Sequence, residues 1–148
     1  MKKFKFRMQP ILEIREKKLE DERLKLAELQ NILNSQIDIL NEMEYKKRKL
    51  IERIEVLQNG EIMAINEICS CRMFLERINS DIQTQLGLIK KTQIKIEEQK
   101  KAMTVAYQEL KTLENLKEKQ ETEHLKQFEK LEMKEIDDIA ISRYKNKN

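Results

Sequence analysis

Counting alternately four and three residues from Leu12 picks out Leu12, Arg15, Leu19, Glu22, Leu26, Leu29, Leu33, Gln36, Leu40, Met43, Lys47, Leu50, Ile54 and Leu57. One of the two lines in that set, Leu12, Leu19, Leu26, Leu33 and Leu40, is unbroken leucine at a period of seven, and Ile54 resumes it after Lys47. A sustained heptad of this kind is the seam of a coiled coil and predicts a helix over about 10–58. Pro10 suits the first turn of that helix, where a missing N–H costs nothing. Asn59-Gly60 has the composition of a helix C-cap with a residue in the left-handed region, so a turn is expected at about 59–62. A second line, Ile68, Leu75, Ile82, Ile89, Ile96, Met103 and Leu110, predicts helix 2 over about 63–140. Its companion line is read as Ile65, Arg72, Asn79, Leu86, Gln93, Lys100 and Tyr107, which makes Tyr107 a core residue.

The only strong break lies near Gly60, so the chain buries both stripes most simply by folding back on itself. The predicted fold is all-α, a long antiparallel two-helix coiled-coil hairpin forming one domain over residues 1–148. Helix 1, at ~1.5 Å per residue, would be about 70 Å long. Gly87, inside helix 2, reads as a tolerated glycine with a bend as the alternative, at a cost of about 1 kcal/mol relative to Ala. From Lys117 to His124 there is no apolar residue, which predicts a solvated stretch of helix with His124 exposed. Residues after about 125 are left without an intramolecular partner, or with the Phe4 to Ile14 segment alone. Leu125, Phe128, Leu131, Ile136, Ile139 and Ile141 are then free to dock elsewhere.

Composition narrows the function. Lys and Arg number 30 and Asp and Glu 27, against two Gly and one Pro, which is too few turn formers for a sheet protein. The net charge of +3 is a small difference between large sums and drives the chain toward neither nucleic acid nor anionic lipid. No apolar run approaches the ~20 residues of a membrane span, and the charged start of the chain lacks a signal-peptide h-region, so a cytoplasmic protein is expected. Cys69 and Cys71 point about 200° apart on a helix, which argues for two reduced thiols and against a mutual disulfide. With one His, no phosphate loop, no zinc spacing and no second layer to build a pocket, an enzyme is not expected, nor a metal, cofactor or small-molecule substrate. Lys46-Lys47-Arg48-Lys49 is the densest basic run. It lies inside the heptads, is flanked by Glu42, Glu44 and Glu52, and spreads around the helix, so it reads as a solvated face and not a DNA-reading basic region.

What remains is an interaction protein. Tyr45 and Phe74 sit off the seam and are candidate contact residues near the hairpin tip; Ile32, Ile37, Ile39 and Ile51 also fall outside the stripe. A parallel coiled-coil dimer or scaffold, and a zipper-type nucleic-acid binder, are the competing readings.

Two terminal motifs add to this. The opening Phe4-Lys5-Phe6-Arg7-Met8-Gln9-Pro10-Ile11-Leu12-Glu13-Ile14-Arg15-Glu16 resembles the start of FliJ proteins, small coiled-coil components of the bacterial flagellar type III export apparatus. The ending Met133-Lys134-Glu135-Ile136-Asp137-Asp138-Ile139-Ala140 is similar to the family's acidic closing motif, and Met73-Phe74-Leu75-Glu76-Arg77-Ile78 and the Asn-Gly break fit as well. The resemblance implies a non-catalytic, stalk-like coiled coil, monomeric and peripherally associated with the inner-membrane export apparatus. Its implied partners are the export ATPase hexamer, the cytoplasmic domain of the export gate, and export chaperones. The end carrying both termini, with Phe4, Phe6, Ile136 and Ile139, would enter the ATPase ring, and Tyr45, Phe74 and Ile78 match the gate-contacting patch. Asp38, Glu42, Lys49, Asp81 and Gln85 depart from the types relatives show beside that patch.

Overall fold

In the computed structural model, which describes residues 3–60 and 64–147, helix α1 runs Gln9–Gln58 and helix α2 runs Ile65–Lys147. There is no strand among the described residues, and the two helices pack against each other as a hairpin. Both are long because almost nothing interrupts them: α1 has no glycine and only Pro10, in its first turn, and α2 has only Gly87. α2 continues past the expected end near 140, and Lys145 and Lys147 in its last turn complement the negative end of the helix dipole. The expected turn and the expected start of helix 2 fall partly on 61–63, outside the described residues. No described residue has a positive φ, so the left-handed cap expected at Asn59-Gly60 is not found. α1 closes with Asn59 N–H donating to Glu55 O at 3.0 Å, the ordinary helical bond carried one residue further.

The chain divides into two compact units, one of residues 1–21 with 103–148 and the other of residues 22–102. In the first, Leu12 and Leu19 of α1 and Ala106, Leu110 and Leu113 of α2 form a buried cluster with Phe6. Phe4, Met8, Met103 and Leu116 pack against it. The chain turns into α1 with Gln9 N–H donating to Phe6 O at 3.1 Å, which sets the Phe6 ring on α2. Each large aliphatic or aromatic side chain fully buried here contributes about 1.5–3 kcal/mol. Ala106, 2% exposed, has the least bulk of the cluster and lets the helices come close. Arg15, a polar seam position, is satisfied across the interface: its Nη1 donates to Glu109 O at 3.0 Å.

In the second unit the α2 line Ile68, Ile82, Ile89 and Ile96 is buried, with Ile54 of α1, while Leu26, Leu33 and Leu40 are half-buried. Every α1 position in the two lines picked out from Leu12 is buried or half-buried. The companion line on α2 is different from the one expected. Ile65, Arg72, Asn79, Leu86, Gln93, Lys100 and Tyr107 are all exposed, Tyr107 at 50%, and the seam uses the other flank of the isoleucine line: Cys71, Ile78, Gln85, Thr92, Gln99, Ala106 and Leu113.

The reason is chemical. α1 brings Gln36 and Glu22 to the seam, and Gln85 and Gln99 can hydrogen-bond there: Gln85 Nε2 donates to Gln36 O at 2.9 Å, and Gln99 Nε2 to Glu22 O at 3.0 Å and to the Glu22 carboxylate. Bulk favoured the wrong flank; on the right one the two glutamine amides donate to main-chain carbonyls of α1 and, at Glu22, to a carboxylate, so their polar ends are satisfied in the seam. Thr92 is buried and satisfied on its own helix, its Oγ1 donating to Leu88 O at 3.1 Å. Gln36 Oε1, by contrast, is buried and accepts no hydrogen bond from a described residue.

Candidate interaction surfaces

Tyr45 lies two residues beyond Met43 of the seam, and at 53% exposure its ring faces solvent with Lys49 Nζ 5.5 Å from its centroid. On α2 Phe74 stands beside seam residue Leu75 and is 58% exposed; Met73 is more exposed still. Phe74, Met73, Ser70 and Arg77 line a shallow depression of about 300 Å³. The Arg53–Glu67 pair, 2.6 Å apart across the two helices, fixes which turns are level. By that register Tyr45 lies within a turn of Phe74, so the two aromatics share one end of the second unit. Ile78 does not join them in the same way. It is half-buried and belongs to the seam line of Cys71 and Gln85.

The Arg53 guanidinium is held further toward its charged form than usual, first by its hydrogen bond to Glu67 and then by the charge of that carboxylate. The sign is that of a raised basic group: stability from this pair is present below the ordinary arginine range and is lost only above it. Both side chains are about half exposed, so the pair orients the helix ends more than it stabilises them.

In the first unit the sequence-selected residues divide. Phe6 is 7% exposed and is a core residue, packed inside the cluster and with almost no surface to offer a partner. Phe4 is half-buried, its ring tilted at 49° to that of His124 with centroids 5.5 Å apart. His124 is therefore half-buried and not free in solvent as expected, because the N-terminal segment reaches back over it. Beyond it, Leu125, Phe128, Leu131, Met133, Ile136, Ile139, Ile141 and Tyr144 are exposed, as are all described residues after 124. At 100° per residue Leu125, Phe128, Ile136 and Ile139 fall on one side of α2, and Arg143 joins them. This face is rotated away from the direction that His124 and Leu131 continue from the seam.

None of the described residues forms a His, Cys, Asp and Glu cluster suited to a metal, and no described helix is long and apolar enough to cross a membrane. Cys69 and Cys71 are free thiols, the first exposed and the second half-buried. A paired-helix scaffold that exposes large apolar side chains along both helices, with no metal cluster among the described residues, defines a coiled-coil interaction protein. The family model of the flagellar FliJ protein matches residues 4–148, and the chain belongs to that family. Its members are components of the flagellar export apparatus and act as structural, non-catalytic parts of it. No curated protein and no solved structure matches the chain.

Sequence reasoning missed the polar half of the seam. The signal was present: Gln85, Thr92 and Gln99 repeat at seven and stand three residues after Ile82, Ile89 and Ile96, as Gln36 stands three after Leu33.

Proposed function

We propose that this chain is a stalk-like coupling element of flagellar protein export, joining the export ATPase hexamer to the cytoplasmic domain of the export gate. The observation that carries the reading is the exposure of large apolar side chains along a charge-rich surface, among them Tyr45 and Phe74 in one unit and, in the other, the whole Leu125–Tyr144 stretch, where every described residue is exposed. Tyr45 and Phe74 meet the gate, with Ile78 beneath them shaping the surface from the seam. Ile136 and Ile139, with the open edge of Phe4, meet the ATPase ring, and Phe6 supports that end from the core. In this role the chain is a monomer at the inner-membrane export apparatus, and export chaperones share its surfaces. A seam packed along its length resists shear between its helices, which suits a part that must carry orientation from one partner to another.

The two surfaces can be tested separately. Phe74→Ala with Tyr45→Ala is expected to weaken binding to the purified gate domain at least tenfold while leaving ATPase binding intact. Ile136→Asp with Ile139→Asp should do the reverse. If both variants bind both partners as the parent does, this assignment is wrong.

A further inference from the structure

A coiled coil of two helices needs two apolar lines on each, and a third line beside them marks a helix that faces more than one neighbour. α1 carries the start of such a line: Ile32 and Ile39 are seven apart, each one place before a leucine of the seam, Leu33 and Leu40. On α2 Leu88 stands one place before Ile89 in the same way. The Arg53–Glu67 pair shows where these residues meet, because it joins the place before Ile54 to the place before Ile68 across one flank of the seam. Steps of seven from that pair, taken in opposite directions along the antiparallel helices, set Lys46 level with Phe74, Ile39 with Asp81, Ile32 with Leu88 and Lys25 with Lys95. The Gln85–Gln36 bond inside the seam agrees with this alignment.

Ile32, Ile39 and Leu88 therefore form one apolar strip along this flank, and each is close to half exposed. The charges at its far end are unusual. Flank positions of a coiled coil that closes on itself pair opposite charges, as Arg53 and Glu67 do. Lys25 and Lys95, at the equivalent level four heptads on, are like charges. Lys25 turns back to Glu22 of its own helix at 3.6 Å, and Lys95 has no carboxylate within ion-pair distance among the described residues. The opposite flank lacks this combination: Ile37 is level with Leu86 there, but the levels on either side hold Glu44 with Asn79 and Gln30 with Gln93, which include no cation.

We propose that this flank of residues 22–102 docks an amphipathic α-helix of another protein, laid in the groove between α1 and α2 as a third helix. Its apolar stripe covers Ile32, Ile39 and Leu88, and carboxylates at one end of the stripe sit over Lys25 and Lys95. Docking takes the three aliphatic side chains out of water and gives the two level lysines the opposite charge that the hairpin does not provide. The surface uses neither Tyr45 nor Phe74 and lies outside the Leu125–Tyr144 stretch, so the proposal stands or falls apart from the stalk reading.

The test uses the full chain and two synthetic peptides of three heptads, each held helical by a side-chain staple, labelled with a fluorophore and bearing one leucine stripe. One peptide has glutamates beside the last turn of the stripe; the other is identical but has lysines there. In fluorescence anisotropy at low salt the parent chain is expected to bind the glutamate peptide at least fivefold more tightly. Lys95→Glu, which leaves the Lys25–Glu22 pair in place, should abolish that preference. Ile32→Gln with Leu88→Gln should weaken binding of the glutamate peptide at least tenfold with helicity unchanged. Failure to bind the glutamate peptide, equal affinity for the two peptides, or binding untouched by Ile32→Gln with Leu88→Gln overturns the proposal. Loss of helicity in that variant overturns it too, because the strip would then belong to the hairpin's own packing. So does a dimer of the parent chain that the same variant abolishes, since a second copy would then occupy the flank.

Discussion

Gly87 is exposed, and a β-carbon added there meets nothing within 4 Å, so its only local effect is to loosen the helix it sits in. Gly87→Ala should raise stability by about 1 kcal/mol in urea unfolding. Phe74 and Ile78 make a sharper pair because they are four residues apart on one helix yet differ in burial. Phe74→Ala should leave stability within about 0.5 kcal/mol of the parent, as surface changes do. Ile78→Ala should cost about 1–3 kcal/mol, toward the lower part of what truncating a buried isoleucine does. Equal losses from the two would mean that Phe74 is part of the packing. Phe6 belongs with the core: Phe6→Ala should cost about 3 kcal/mol or more and lower the Tm, whether or not any partner is present.

The helices were legible in the sequence to different depths. α1 was readable throughout, its start near Pro10, its two lines from Leu12 and its end at Gln58, because leucine at every seventh place admits one buried face. α2 gave up its isoleucine line as readily, but that line has two flanks. Leu86 and Tyr107 are larger than Thr92 and Ala106, and bulk pointed to the wrong one. Deciding between them required knowing that the opposite helix offers a backbone carbonyl at Gln36 and a carboxylate at Glu22, a fact about pairing that no single stripe contains. The candidate contact residues were readable only as departures from the seam: this identified Tyr45 and Phe74 as exposed and Ile136 and Ile139 as unpaired. It could not show that Phe6 turns inward, because the short segment ahead of α1 carries no periodicity. At this scale the clearest expectation concerns the far part of α2. A chain ending at Leu125 keeps Leu110, Leu113 and His124 with their neighbours, so its Tm should stay within a few degrees of the parent, while under the proposed function its binding to the export ATPase should be lost.

For the chain as a whole, 57 charged residues nearly cancel to +3, and most of the ion pairs along the helices are exposed ones such as Lys46–Glu42 and Lys111–Glu114, with Glu22 of the Lys25–Glu22 pair the sheltered exception among the described residues. Pairs of this kind contribute little individually and are screened by salt. Stability should accordingly change little between low and moderate ionic strength, since the apolar seam carries it. Because each apolar stripe finds its partner on the same chain, sedimentation should give the mass of a monomer at micromolar concentration. A concentration-dependent dimer would favour the adaptor reading and would require a face other than the seam.

α2 outruns the residues that cover it, leaving more than twenty of its positions with water on every side. A helix end without packing neighbours is held by its own backbone bonds alone and opens locally far more readily than a packed one. Amide protons beyond Leu125 should therefore trade with deuterium within seconds to minutes, while those around Leu110 hold out far longer. A partner that seats on this stretch would have to supply the protection it lacks, so slowed exchange confined to its last turns would be the footprint of an arriving subunit.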